Sequence, residues 1–241
     1  MDLAIVIPAR MASTRFPGKP LVDLLGKPMI QWVVEAARKA DLTQQIIVAT
    51  PDREIIDACT SFGAKAVLTR SDHPSGTDRI AEVALLHPAD IYVNVQGDEP
   101  LIRPETIRAC AQPLVLNSSL EMGSVYSECP AIEVESPAVV KVVSDREDFA
   151  LYFSRFPIPF PRSERPIPVK KHVGIYAYTG GVLARFSRWK MGDLEQAESL
   201  EQLRFLEHGV RIKMSPGAGT ELAVDTPEQA DEVRRLLAAR A

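Results

Sequence analysis

Three cations, Arg10, Arg15 and Lys19, share one short stretch with Ser13, Thr14, Gly18 and two prolines. Guanidinium forks meet phosphate oxygens two at a time and hydroxyls add further donors, so this stretch can hold a polyphosphate. Asp98 and Glu99 stand between Gly97 and Pro100, a braced acidic turn suited to presenting a hard cation to a nucleotide. A third carboxylate, Asp225, precedes Thr226-Pro227-Glu228-Gln229, which fits a capping box with Thr226 as N-cap, Pro227 first in the helix and Gln229 returning the bond. That cap is filled without Asp225, so Asp98 and Asp225 form a candidate pair for one Mg²⁺. Taken singly, each feature also has a plainer reading, as a solvated basic loop, a polar connection, or an acid ahead of a helix. Together they carry what a metal–nucleotide needs: cations on one segment and carboxylates on two others.

Two common phosphate-binding designs are absent from the basic stretch. Gly18-Lys19 has Ser13 where a Walker A loop needs its first glycine, and Pro20 where it needs Ser or Thr. No G-x-G-x-x-G turn follows the first apolar run, which counts against a dinucleotide-binding dehydrogenase.

The elements that must position these groups read as an α/β fold. Leu3 to Ile7 is a short apolar run ending at Pro8, the pattern of a strand covered on both faces. Met29, Ile30, Val33, Val34 and Ala37 then recur at helical spacing; Ile46 to Thr50 reads as a strand, Asp52 to Phe62 as a helix and Lys65 to Thr69 as a strand. This alternation predicts right-handed βαβ units and a largely parallel sheet flanked by helices. Ser75-Gly76-Thr77-Asp78-Arg79 predicts a helix from Asp78 to Leu86 with Thr77 as N-cap, its first-turn amides available to an anion or a base edge. A strand from Ile91 to Gly97 leads into the acidic turn, and Pro104 to Leu116 continues as a helix.

From about Gly123 to Thr179 the alternation lapses, within a lobe of about 121–209. Strands are expected at Gly123 to Tyr126, Ala138 to Val143, Phe149 to Ser154 and His172 to Tyr178, around a proline-rich link from Pro157 to Pro168. This excursion reads as a smaller lobe for a second substrate or a subunit contact, set on a core made of about 1–120 and 210–241 within one domain of 1–241. Leu194 to His208 is predicted as one helix with Leu200, Leu203 and Leu206 inward and Glu195, Glu198, Glu201, Gln202 and Arg204 on a solvated face. Val210 to Met214 and Glu221 to Asp225 read as further strands.

The 241 residues are 46% hydrophobic and carry a net charge of −4. That is enough apolar material for a sizeable core, and the acidic balance disfavours nucleic acid and anionic membrane as partners. Cys59, Cys110 and Cys129 form no C-x-x-C pair, which argues against a disulfide framework or structural zinc and for a reducing compartment. With no run of about 18 apolar residues, membrane insertion is not expected and a cytoplasmic location is.

In order along the chain, Ile7-Pro8-Ala9-Arg10 to Pro20, Ser75 to Arg79, Asn94 to Pro100, Tyr152-Phe153-Ser154-Arg155, His172-Val173-Gly174-Ile175-Tyr176, Leu200-Glu201-Gln202-Leu203-Arg204 and Val224-Asp225-Thr226-Pro227 resemble the 3-deoxy-manno-octulosonate cytidylyltransferase family, the CMP-Kdo synthetases. The resemblance spans residue 5 to about 232. It implies a homodimeric α/β, Rossmann-like nucleotidyltransferase that couples CTP to the sugar acid Kdo, releases pyrophosphate and serves lipopolysaccharide assembly. It further implies that Arg10, Ser13, Arg15 and Lys19 hold the triphosphate and that Ala9, Thr50, Ser75 and Gly76 line the cytidine site. Asp98 and Asp225 match Mg²⁺ ligands, while Gln96, Arg155, His172, Tyr176, Glu201 and Gln202 match the sugar-acid side. On this reading Arg10, Arg15, Lys19, Asp98 and Asp225 carry catalysis.

The chain departs from the family at Ala177, where many members have glycine, and in the link from Pro157 to Lys171. Both departures lie on the sugar side, leaving an 8-amino analogue of Kdo or a sialic-acid-like acid as alternative acceptors. A sugar-1-phosphate nucleotidyltransferase is disfavoured because its glycine-rich G-x-G-T-R type loop is missing. A nucleotide-sensing module without turnover is the non-enzyme alternative.

Overall fold

The computed structural model describes residues 1–162, 167–218 and 222–240. Strand β1 (Leu3–Pro8) is the hinge of the architecture. Its alternate side chains enter two different cores: Leu3, Ile5 and Ile7 pack on one face of the sheet, Ala4 and Val6 on the other. That two-sided burial is why the run is continuously apolar rather than alternating.

Helix α1 (Met29–Lys39), strand β2 (Ile46–Thr50), helix α2 (Arg53–Ser61) and strand β3 (Lys65–Leu68) follow in the expected order. Strands β1, β2 and β3 are parallel neighbours, with Ile5 opposite Ile46 and Ile47 opposite Lys65. After helix α3 (Gly76–Leu86), the chain crosses back so that strand β4 (Ile91–Asn94) pairs with the opposite edge of β1, also in parallel. The order β3-β2-β1-β4 therefore reverses direction at β1, and the crevice between the carboxyl ends of β1 and β4 is a topological switch point. Open α/β sheets bind ligands at such crevices.

Helix α4 (Pro104–Leu116) leads to strands β5 (Met122–Glu128), β6 (Lys141–Ser144), β7 (Ala150–Ser154) and β8 (Lys170–Thr179). Strands β5 and β8 lie inside the excursion of 121–209, yet they extend the central sheet: β8 runs antiparallel between β4 and β5. Only β6 and β7 leave that path, β6 pairing β8 and β7 pairing β6. After short helix α5 (Gly180–Phe186), the predicted helix from Leu194 to His208 is two pieces, α6 (Asp193–Glu198) and α7 (Gln202–Glu207). The break falls at Ser199, whose backbone is left-handed at φ 52°.

A buried ion pair explains that break. Arg204 donates to Glu195 through Nε at 2.5 Å and Nη2 at 2.6 Å, and neither side chain is more than 7% exposed. Nine positions along an unbroken helix place two residues about 180° apart, on opposite faces. The turn at Ser199 brings them together, so residues expected on a solvated face are interior; Gln202 is buried too.

Strand β9 (Ile212–Pro216) pairs in parallel with β5, a little later than the strand expected at 210–214. Leu222 to Asp225 is irregular rather than a strand, tied down by the Val224 amide donating to the Asp98 carbonyl at 2.9 Å; Glu221 lies outside the described residues. Val224 is buried with Leu24, Met29 and Leu101 against helix α8 (Pro227–Ala238). The capping box at Thr226 and Gln229 is formed as read from the sequence.

Candidate active site

The segment after β1 is a closed loop. The Gly18 amide donates to the Met11 carbonyl at 2.9 Å, with Gly18 at φ 76°, a backbone conformation that only glycine adopts without strain. The Asp52 carboxylate accepts from the Met11 amide at 2.7 Å and so fastens the loop to the start of α2. The loop's three cations remain on one side, with Arg10 and Arg15 exposed.

A cleft of about 780 Å³ opens at the switch point. Ala9, Arg10, Ser13, Arg15 and Lys19 line one wall, Ser75, Gly76 and Arg79 another, and Gln96, Gly97, Asp98 and Asp225 a third. Close backbone approach sets its depth: a Cβ on Gly97 would lie 2.7 Å from the Pro8 carbonyl oxygen. The ends of β1 and β4 thus touch, which brings the basic loop against the acidic turn.

The two aspartates converge. Lys19 Nζ lies 2.6 Å from Asp98 Oδ2, 2.9 Å from Asp225 Oδ1 and 3.1 Å from the Val224 carbonyl. Arg15 adds a contact of 2.9 Å to the other oxygen of Asp225. Burial alone would lower the Lys19 pKa, but the two carboxylates more than offset it and hold the ammonium above its usual value. A single ammonium bridging both side chains is a stand-in for a small hard cation, so the donor set fits Mg²⁺. Among the described residues no three His, Cys, Asp or Glu side chains converge, and a Mg²⁺ held by two carboxylates completes its shell with substrate phosphates and water. Glu99, the other carboxylate of the turn, points inward and is buried near Gly174.

Helix α3 begins earlier than predicted. Ser75, not Thr77, is its N-cap, its Oγ accepting from the Asp78 amide at 3.2 Å. Thr77 is buried instead and donates to Glu201. Arg79, four residues beyond the cap and on the same face, is a further cation of the cleft, which its place in the helix start does not announce. Burial and then the charge of Arg10 lower its pKa, and its Nη1 donates to the Arg70 carbonyl at 2.8 Å.

Of the other expected residues, Thr50 is fully buried, its hydroxyl accepting from the Asp52 amide at 3.1 Å. It braces the residue that holds the loop and is not on the cleft surface. His172, Tyr176, Glu201 and Gln202 do not line the cleft either but meet in a second polar cluster beside it. Tyr176 donates to Gln202 Oε1 at 3.1 Å, and the Ser124 hydroxyl lies 3.0 Å from His172 Nε2. Burial lowers the His172 pKa to about 3 and raises those of Tyr176 and Glu201. The cluster reaches the cleft through Glu201, which hydrogen-bonds the cleft residue Ser75 as well as Thr77, and through Gln96, whose Nε2 donates to Asn94 Oδ1 at 3.3 Å, Asn94 being paired with Tyr176 across the sheet.

Arg155 stands apart. Its guanidinium donates to the carbonyls of Glu198 at 2.8 Å, Pro137 at 3.1 Å and Ser199 at 3.3 Å. Lys141, absent from the residues singled out in the sequence, is wholly buried and donates to the carbonyls of Ser136, Val139 and Arg155. Nothing in its sequence context separates it from a surface lysine.

Residues 4–212 match the cytidylyltransferase family. A 3-deoxy-manno-octulosonate cytidylyltransferase from Escherichia coli is 47% identical over 234 residues, 97% of this chain and 95% of the relative. The enzyme of that name from Pseudomonas fluorescens is 48% identical over 98% of each. A solved structure described as CMP:2-keto-3-deoxy-manno-octonic acid synthetase complexed with CTP superposes with a TM-score of 0.97 at 45% identity, covering both chains completely.

Proposed function

The chain belongs to the cytidylyltransferase family, and on that premise we propose that it transfers the cytidylyl group of CTP to the anomeric hydroxyl of 3-deoxy-manno-octulosonate. The observation that carries this reading is the convergence of Lys19, Asp98 and Asp225 in the cleft at the switch point. The sugar oxygen bonds to the α-phosphorus as the bond to the β-phosphate oxygen breaks, and pyrophosphate leaves. Such transfers depend on alignment and on spreading negative charge.

Each wall has a task in that reaction. Arg10, Ser13 and Arg15 grip the triphosphate and, with Lys19, offset the charge growing on pyrophosphate. The α3 amides behind Ser75 and Gly76 face the nucleotide, with Ala9 on the opposite wall. Asp98 and Asp225 would hold Mg²⁺, which would supply Lewis-acid charge stabilisation there. Gln96, His172, Tyr176, Glu201 and Gln202 orient the sugar acid. His172 is neutral at physiological pH, so it takes part as a hydrogen-bonding group and not as a cation.

The acceptor reading gains support from Ala177. Its methyl is fully buried in the core on the opposite sheet face from Tyr176 and Tyr178, so this departure from glycine does not reshape the sugar side. A homodimer fits the apolar side chains exposed between residues 121 and 209, Ile132, Leu151, Phe156 and Phe160. Three buried free thiols fit cytoplasmic assembly of a lipopolysaccharide precursor; among the described residues no helix is long and apolar enough to cross a membrane.

The test is pyrophosphate release from CTP and Mg²⁺ in the presence of Kdo, its 8-amino analogue, sialic acid or glucose 1-phosphate. Release with Kdo at the highest kcat/KM is expected. Turnover confined to a sugar phosphate, or tight CTP binding with no turnover on any acid, would overturn the assignment.

A further inference from the structure

The contacts of Lys19 point past its role as a phosphate ligand. We propose that Lys19 is the resident cation of the Asp98–Asp225 pair and makes metal binding conditional on nucleotide: the pair is open to a divalent ion only after a triphosphate has drawn the ammonium away. This rests on the reading of the two aspartates as the metal ligands.

The Lys19 ammonium contacts one oxygen of each carboxylate and the Val224 carbonyl, so all three of its N–H donors have partners. Its side chain is only 14% exposed, while the carboxylates are each about a third exposed. A divalent ion arriving alone must shed water, expel that ammonium and leave it close by without a counter-ion. Arg15, 2.9 Å from Asp225, opposes entry by the same repulsion.

A triphosphate changes the balance. Lined up along Arg10, Ser13 and Arg15, it offers Lys19 anionic acceptors that replace the aspartates, and it offers the incoming metal oxygens to complete its shell. The exchange needs only a side-chain swing. The Lys19 backbone is fixed in the closed loop, its amide donating to the Phe16 carbonyl at 3.3 Å beside the Gly18–Met11 bond, while its four-carbon stem can reorient. The cleft thus admits metal and nucleotide together and leaves no free-metal form to bind stray pyrophosphate or phosphate.

Nucleotide-free Mn²⁺ titration of the full-length protein, followed by the loss of the free-ion electron paramagnetic resonance signal, tests this. Wild type is expected to bind weakly. Lys19→Met is expected to gain one Mn²⁺ site at least about tenfold tighter, the residual strength of a close charge pair after solvent screening. Lys19→Met with Asp98→Asn is expected to lose that gain. Thermal melts confirm folding, and Lys19→Gln replaces Lys19→Met should the latter not fold. Equal Mn²⁺ binding by wild type and Lys19→Met at a site that Asp98→Asn removes overturns the placeholder role and leaves the metal ligands standing. A gained site indifferent to Asp98→Asn overturns both, and no gain in either Lys19 variant overturns the placeholder.

Discussion

Gly97→Ala is the sharpest single perturbation of the cleft. Gly97 is buried, and its backbone lies outside the left-handed region, so the added methyl acts by volume alone. That methyl would sit 2.7 Å from the Pro8 carbonyl oxygen, with Ala9 Cβ and Ile30 Cδ1 each at 3.4 Å, where ordinary contact begins. Relief therefore requires the ends of β1 and β4 to part by about the difference between 2.7 and 3.4 Å, because the clash is with backbone rather than with the far end of a flexible side chain. Overpacking of this kind costs about 1–3 kcal/mol, or several degrees of melting temperature in a chain this long. The displacement falls between Ala9-Arg10 and Asp98, groups that must act on one triphosphate, and misplacement approaching 1 Å costs about 10–100-fold in rate. Steady-state kcat/KM from pyrophosphate release and a thermal melt are the assays. Gly181→Ala is the control: no atom lies within 4 Å of its would-be Cβ, in the first turn of α5, so stability should be unchanged or slightly higher. Gly97→Ala with wild-type melting and kcat/KM within twofold would refute the idea that contact between the two strand ends sets the site's geometry.

Asp98→Asn and Asp225→Asn should each abolish turnover while leaving a folded protein, as read by activity and circular dichroism, since each removes a charged ligand from the pair. Arg155→Ala should cost about 1–3 kcal/mol in urea unfolding, because three main-chain carbonyls lose their charged donor, and should leave the CTP KM unchanged. His172→Gln should flatten acid instability. The unfolded chain takes up a proton near the ordinary histidine pKa of 6.5, whereas the folded chain holds His172 neutral down to about 3. Wild-type stability accordingly falls as pH drops through that window, by about 1.4 kcal/mol per pH unit from this residue, and the variant should lack that slope in melts from pH 4 to 6.5.

Local chemistry was legible where it is written in consecutive residues. The β1 run, the Thr226 capping box and the basic loop could be read directly, because burial, capping and charge each leave a short-range signature. The pairing of Asp98 with Asp225 was also readable, since a filled cap frees the preceding acid. Features decided by distant partners were not. The helix break at Ser199 exists to join Glu195 to Arg204, and helical periodicity across 194–208 gives no hint of it. Thr77 looked like a cap but is claimed by Glu201, leaving Ser75 to cap α3. Lys141 and Thr50 are interior polar residues whose partners are main-chain groups from other segments, a kind of contact no local pattern announces.

The most direct test of the account is a crystal structure with CTP and Mn²⁺, in which the anomalous signal locates the ion. One peak ligated by both Asp98 and Asp225 is predicted, with the triphosphate lying along Arg10, Ser13 and Arg15 and the Lys19 ammonium moved from the carboxylates onto phosphate oxygens. A peak that touches neither aspartate, or a triphosphate lying outside the basic loop, would contradict it.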